Sequence, residues 1–210
     1  MGEISRYSDR EERLNFATHA AGAVLFAGAG WKLFAGNALL SSKAFLFSQI
    51  FYCFSLIFMF GASAFYHLSK SAGVKRFARK FDHCAIYILI TGTYAPLMTG
   101  VLANWCGYAV LGTLLLLTAA GIVIKFCCAE KFHRLEVILY LLMGWLCMLV
   151  IKPLFAGLPP AGFKYLISGG VVYTAGVVFY VIRKEFFHAL WHVFVLAGAW
   201  LQFMAVLTIR

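Results

Sequence analysis

The chain has 210 residues, of which 63% are hydrophobic and only 12% charged, about half the charged share of an ordinary soluble domain. A soluble protein of this length could not bury so much apolar side chain in one core, so lipid must solvate much of its surface. The formal charge of +10 does not signify a nucleic-acid partner, because the basic residues lie in short pieces between apolar runs, as membrane-flanking loops do.

Residues 1–13 mix both signs of charge and lack a small-residue cleavage pattern, so no cleaved signal peptide is expected. Apolar runs follow at 15–34, 44–68, 82–103, 106–126, 135–154, 162–182 and 188–209. Each approximates the roughly 20 residues that a spanning helix needs. The runs do not alternate apolar and polar side chains, which excludes a transmembrane β-barrel. The expected architecture is therefore all-α: a seven-transmembrane helix bundle forming a single integral membrane domain over 1–210. Short breaks at Asn104 and Trp105 and at 183–187 leave no room for a separate soluble domain. Pro96 is expected to kink the third span, and glycines such as Gly22, Gly28 and Gly30 let helix backbones approach closely.

Basic residues divide unevenly between the two sides. Thirteen lie in the N-terminus and in the second, fourth and sixth loops, against five elsewhere: Lys32, Lys43, Lys152, Lys164 and Arg210. The positive-inside tendency then puts the N-terminus in the cytoplasm and the C-terminus outside, in a multi-pass protein of the cytoplasmic membrane.

The six cysteines, Cys53, Cys84, Cys106, Cys127, Cys128 and Cys147, lack metal-finger spacing and read as small core hydrophobes. The adjacent Cys127 and Cys128 also suit fatty acylation. The histidines are more informative. His19, His67, His83, His188 and His192 all fall near the expected cytoplasmic ends of the first, second, third and seventh spans. Ionisable groups at that depth are costly and normally face the bundle interior with a partner. His188 and His192 are four residues apart, so they share one helix face and can hold one metal ion. Ser63 and His67 have the same spacing, as do Glu11, Asn15 and His19. Taken singly, Ser63 also reads as a packing serine, Glu11 and Glu12 as helix-terminus carboxylates, and His133 as a solvated loop residue. Position 189 is alanine, so the metalloprotease His-Glu-x-x-His arrangement is absent.

Together these residues make a recognisable pattern: Glu11-x-x-x-Asn15-x-x-x-His19, then Ser63-Ala-Phe-Tyr-His67, Phe81-Asp82-His83 and His188-Ala-Leu-Trp-His192. The chain resembles the hemolysin III-like proteins, the bacterial branch of the progestin and adipoQ receptor family, over essentially its whole length. The resemblance implies seven spans with the N-terminus inside, and a zinc ion held by His67, His188 and His192. It further implies a water bridging that ion to Asp82, with Ser63 beside the site. The wider superfamily includes alkaline ceramidases, which makes a membrane-embedded metal hydrolase the implied design. Unlike the hormone receptors, the chain has no long N-terminal segment, which argues against hormone binding, and it adds His83 next to Asp82.

On this reading Asp82 and Ser63 are the candidate catalytic groups and Zn2+ the cofactor. Glu11, Asn15, His19 and His83 are candidates to orient the ligands. Membrane lipids are the expected partners, with a lipid amide or ester as substrate. Two other functions stay open: a membrane sensor or regulator with a structural zinc, and a cytolysin. A transporter is disfavoured, because the polar groups gather at one end of the spans and do not continue to the other.

Overall fold

The computed structural model describes residues 7–35, 42–127, 133–182 and 184–209. Regular structure among them is helical: α1 (Asp9–Ala29), a short α2 (Lys32–Ala35), α3 (Lys43–Leu68) and α4 (Ala72–Pro96), which runs on into a π-helical stretch, Leu97–Val101. Then come α5 (Trp105–Cys127), α6 (His133–Gly144), a 3-10 stretch at Leu146–Val150, α7 (Ile151–Gly157), α8 (Pro160–Val181) and α9 (Phe187–Leu207). Cys128 and the side chain of His133 lie outside the described residues, so the acylation and solvated-histidine readings are not addressed; His133 itself opens α6.

Local chemistry accounts for the helix starts. Ser8, Ser42 and Asn104 each precede a helix and accept a hydrogen bond from a backbone N–H in its first turn: Glu11 at 3.3 Å, Phe45 at 3.2 Å and Gly107 at 3.1 Å. These side chains satisfy donors that a helix leaves unpaired at its start. Pro160 begins α8, where its missing N–H costs nothing. After Pro96 the α-helical pattern gives way to a wider π turn, which the Leu102 N–H closes onto the Leu97 carbonyl at 3.1 Å; proline itself cannot donate to the ladder one turn earlier.

Six stretches are long and apolar enough to cross a membrane: α3, α4 with its π extension, α5, Leu135–Gly157, α8 and α9. The chain is a multi-pass integral membrane protein, and apolar residues such as Leu116, Leu149 and Val24 stay three-quarters exposed on its outside. The first expected span, α1, is not among the six. It is long enough, but Glu11, Glu12, Asn15 and His19 are spent on its buried face. The third expected span is longer than its apolar run suggested, since α4 begins at Ala72 rather than Asp82. Within the basic run before Asp82, Lys75 is buried, with its ammonium 2.9 Å from Glu12.

The fifth expected span is interrupted where α6 meets the 3-10 stretch. Backbone groups freed inside a membrane need partners from elsewhere in the protein. Tyr94 supplies them: its hydroxyl donates to the Gly144 carbonyl at 2.8 Å and accepts from the Cys147 N–H at 2.8 Å.

Helix α1 packs on α3 and α9, α3 on α4, α8 on α9, and α4 on α5, α6 and α9. Gly22 permits the α1–α3 approach, because a methyl group there would sit 2.5 Å from the Phe60 ring. This arrangement gathers at one end of the bundle the first turns of α1 and α9, the last turn of α3 and the third turn of α4.

Candidate metal centre

His67 ends α3, and His188 and His192 lie one turn apart at the start of α9. The packing of both helices against α1 brings the three rings together, with one ligand atom from each inside a 4.8 Å cluster. The Nε2 atoms of His188 and His192 lie 3.1 Å apart. Two nitrogens on one tetrahedral zinc would be about 3.3 Å apart, given bonds of 2.0–2.1 Å.

The far sides of two rings are already held. His67 Nδ1–H donates to Glu12 Oε2 at 2.7 Å, and His192 Nδ1–H donates to the Asn15 carbonyl at 3.2 Å. Each bond leaves Nε2 as the lone-pair atom facing the cluster. His67 Nε2 is buried without a hydrogen-bond partner, which is expensive unless a cation takes its lone pair. The residues present therefore fit a metal ion of the kind that three imidazoles hold.

The side chains expected around the triad are placed as follows. Asn15 is fully buried, and its amide nitrogen lies 3.5 Å from His67 Nδ1. His19 stacks flat on His192, centroids 3.6 Å apart, and meets Phe60 edge-on. Glu11 does not touch the rings of the triad; its carboxylate faces the backbone N–H groups of Phe186 and His188, and its Oε1 is buried without a hydrogen-bond partner. Glu11 thus caps the N-terminus of α9 from another helix and helps set where His188 sits. That corner is strained, because Phe186 has a φ of 63°, a left-handed conformation that costs a bulky side chain of order 1–3 kcal/mol.

Ser63 and Asp82 line the same cavity as His188 and His192. The Ser63 hydroxyl is buried without a partner, so its donor is directed at nothing in the protein. His83 also lines the cavity, but its Nδ1 engages Lys125 and Glu136. Lys125 Nζ lies 2.8 Å from that nitrogen and 3.0 and 3.1 Å from the two Glu136 oxygens. Glu136 Oε2 also lies 3.0 Å from His83 Nδ1, so the three side chains form one mutually bonded cluster.

Sequence reasoning missed Glu12, Lys75, Lys125 and Glu136. Glu12 had a signal, since residues 12, 15 and 19 share a helix face as well as 11, 15 and 19 do. Tyr7 was missed too; its ring stacks on His188 with centroids 4.6 Å apart.

The cavity measures about 710 Å³, within the range of small-molecule sites. It extends from Ser8, Lys184 and Glu185 past the histidines to Gln202. Every long helix except α5 contributes to its wall.

Comparison with known proteins agrees with the motifs. A family model described as "Haemolysin-III related" matches residues 7–203. The "Hemolysin-3 homolog" of Bacillus subtilis (strain 168) is 36% identical over 202 residues, covering 96% of this chain and 95% of that protein. "Hemolysin-3" of Bacillus cereus is 33% identical over 199 residues, 94% of this chain and 91% of its own length. The human "Monocyte to macrophage differentiation factor" is 29% identical over 168 residues, 74% of this chain and 67% of its own length. The chain belongs to the haemolysin-III related family, the bacterial branch of the progestin and adipoQ receptor family to which its motifs pointed.

Proposed function

We propose that the protein is a zinc-binding membrane hydrolase acting on an amide or ester bond of a lipid, with His67, His188 and His192 as the metal ligands. The observation that carries this reading is the wall of the cavity, where an unpartnered serine hydroxyl and a carboxylate accompany His188 and His192, the two members of the three-histidine cluster that face it. The chemistry that zinc supplies at a three-histidine site is Lewis acidity. The protein's own groups do the rest. Asp82 accepts a proton from the attacking water, and the Ser63 hydroxyl donates a hydrogen bond to an oxygen of the substrate. Glu12 and the Asn15 carbonyl hold two imidazoles in the tautomer that ligation needs. The apolar walls exclude bulk water, which strengthens every polar interaction inside. Seven spans, with α1 completing the bundle, put the site at the cytoplasmic end, with the N-terminus inside and the C-terminus outside.

The test is metal analysis joined to turnover. Purified wild type should carry one zinc per chain, and the double variant His188→Ala, His192→Ala should carry none. Wild type should release fatty acid from lipid amides or esters, and Asp82→Ala should lose about 10²–10⁴-fold in rate. Stoichiometric zinc without turnover over a broad lipid panel, unchanged by Asp82→Ala, would replace the enzyme with a regulator whose zinc is structural. The printed name of the Bacillus cereus relative suggests a further comparison: lysis of red cells by purified protein in the absence of detergent would favour a cytolysin.

A further inference from the structure

The buried polar groups do not stop at the histidines. Tyr173 on α8 and Gln202 on α9 line the inner end of the same cavity. The Tyr173 hydroxyl and Gln202 Oε1 are both buried without a hydrogen-bond partner. The Gln202 side-chain amide is not idle, since its Nε2 donates to the Leu166 carbonyl at 3.0 Å. That bond fixes the amide orientation and leaves Oε1 as an acceptor at the cavity.

The two helices are shaped around these side chains. On α8, Gly169 stands one turn before Tyr173; on α9, Gly198 stands one turn before Gln202. Each glycine faces the partner's polar residue. A methyl group at Gly169 would lie 2.7 Å from Gln202 Nε2, and one at Gly198 would lie 2.9 Å from the Tyr173 ring. The reciprocal pairs seat the tyrosine ring and the glutamine stem against bare backbone and leave their polar tips at the cavity. Helix glue alone would not leave both tips unsatisfied, because each such group costs as much as a lost hydrogen bond.

We propose that Tyr173 and Gln202 form a second polar subsite that takes a hydroxyl group carried on the chain of the bound amphiphile, a proposal that rests on the lipid-site reading above. A hydroxyl is the group that serves both tips, because it donates to Gln202 Oε1 and accepts from the Tyr173 O–H. Position along the chain follows from helix rise. Gly198, against which Tyr173 packs, is six residues beyond His192 and Gln202 is ten residues beyond it, or roughly 9 and 15 Å along α9. At roughly 1.2 Å per chain atom, the reach of an extended backbone, this corresponds to a hydroxyl about eight to twelve atoms from a headgroup at the histidines.

The test compares stearate with 12-hydroxystearate for binding to the purified full-length protein, by native mass spectrometry from detergent. Wild type should bind the hydroxylated chain roughly three- to tenfold more tightly, the effect of one or two net hydrogen bonds. Tyr173→Phe and Gln202→Met should each reduce that preference and leave stearate binding unchanged, which also shows that the variants are folded. Equal binding of both chains to wild type would overturn the subsite while the lipid-site reading stands. Failure of both chains to bind would overturn the lipid-site reading and the subsite with it.

Discussion

The ring of His67 is gripped from behind by Glu12, and Glu12 is held in turn by Lys75 at 2.9 Å. A carboxylate in that position fixes the tautomer and raises the basicity of the nitrogen that faces the metal. Glu12→Gln keeps the shape of the side chain and removes the charge. It should weaken zinc binding by about 10–100-fold in competition with a chromophoric chelator, while Glu11→Gln, on the carboxylate that caps α9, should change it less. Equal losses in the two variants would show that Glu12 does not act through His67. At this scale the sequence narrowed the choice without closing it. Glu11 and Glu12 are adjacent on a helix start, both reach the interior, and the helical period accommodates either one. Which carboxylate meets His67 depends on the rotation of α1 against α3, which the packing of Gly22 on Phe60 sets.

At the scale of elements, a buried cluster joins three helices beside the cavity. His83 comes from α4, Lys125 from α5 and Glu136 from α6, and each is about 6% exposed. Removing one charge from a buried pair leaves the other uncompensated, whereas replacing both by apolar groups is often neutral. Lys125→Met should therefore destabilise the protein by about 3–5 kcal/mol, seen as a lower midpoint for thermal unfolding in detergent. The double variant Lys125→Met, Glu136→Leu should recover most of that loss; no recovery would mean that Lys125 acts through packing rather than charge. Apolar runs revealed the helices but not these cross-links. Lys125 counted among the flanking basic residues, and nothing in the apolar pattern singles out Glu136. The interruption of the fifth span was hidden for the same reason: a tyrosine hydroxyl from another helix satisfies the backbone there, and no local pattern in 144–147 reports it.

For the whole molecule, the histidine end of the bundle also carries the excess of lysine and arginine, while the exposed Trp31 and Trp105 fall at the opposite end, where aromatic rings anchor helices at the interface. A fluorescent protein fused ahead of residue 1 should fluoresce in a bacterial host, and alkaline phosphatase fused after residue 210 should be active, since it needs an oxidising compartment to form its disulfides. An inactive phosphatase fusion would place both ends on one side and remove α1 from the spans. Composition and the length of the apolar runs determined by themselves that the chain is a helical membrane protein, because the bilayer tests each segment separately for hydropathy and for internal hydrogen bonding. The spacing of His188 and His192, and of Ser63 and His67, was likewise written locally, because one helical turn brings such residues together. Only the tertiary structure decided that Glu12 rather than Glu11 faces His67, that His83 engages Lys125 and Glu136, and that polar groups continue inward to Tyr173 and Gln202. Those outcomes depend on how helices distant in sequence rotate and approach, and that is set by the fit of side chains against glycines on neighbouring helices.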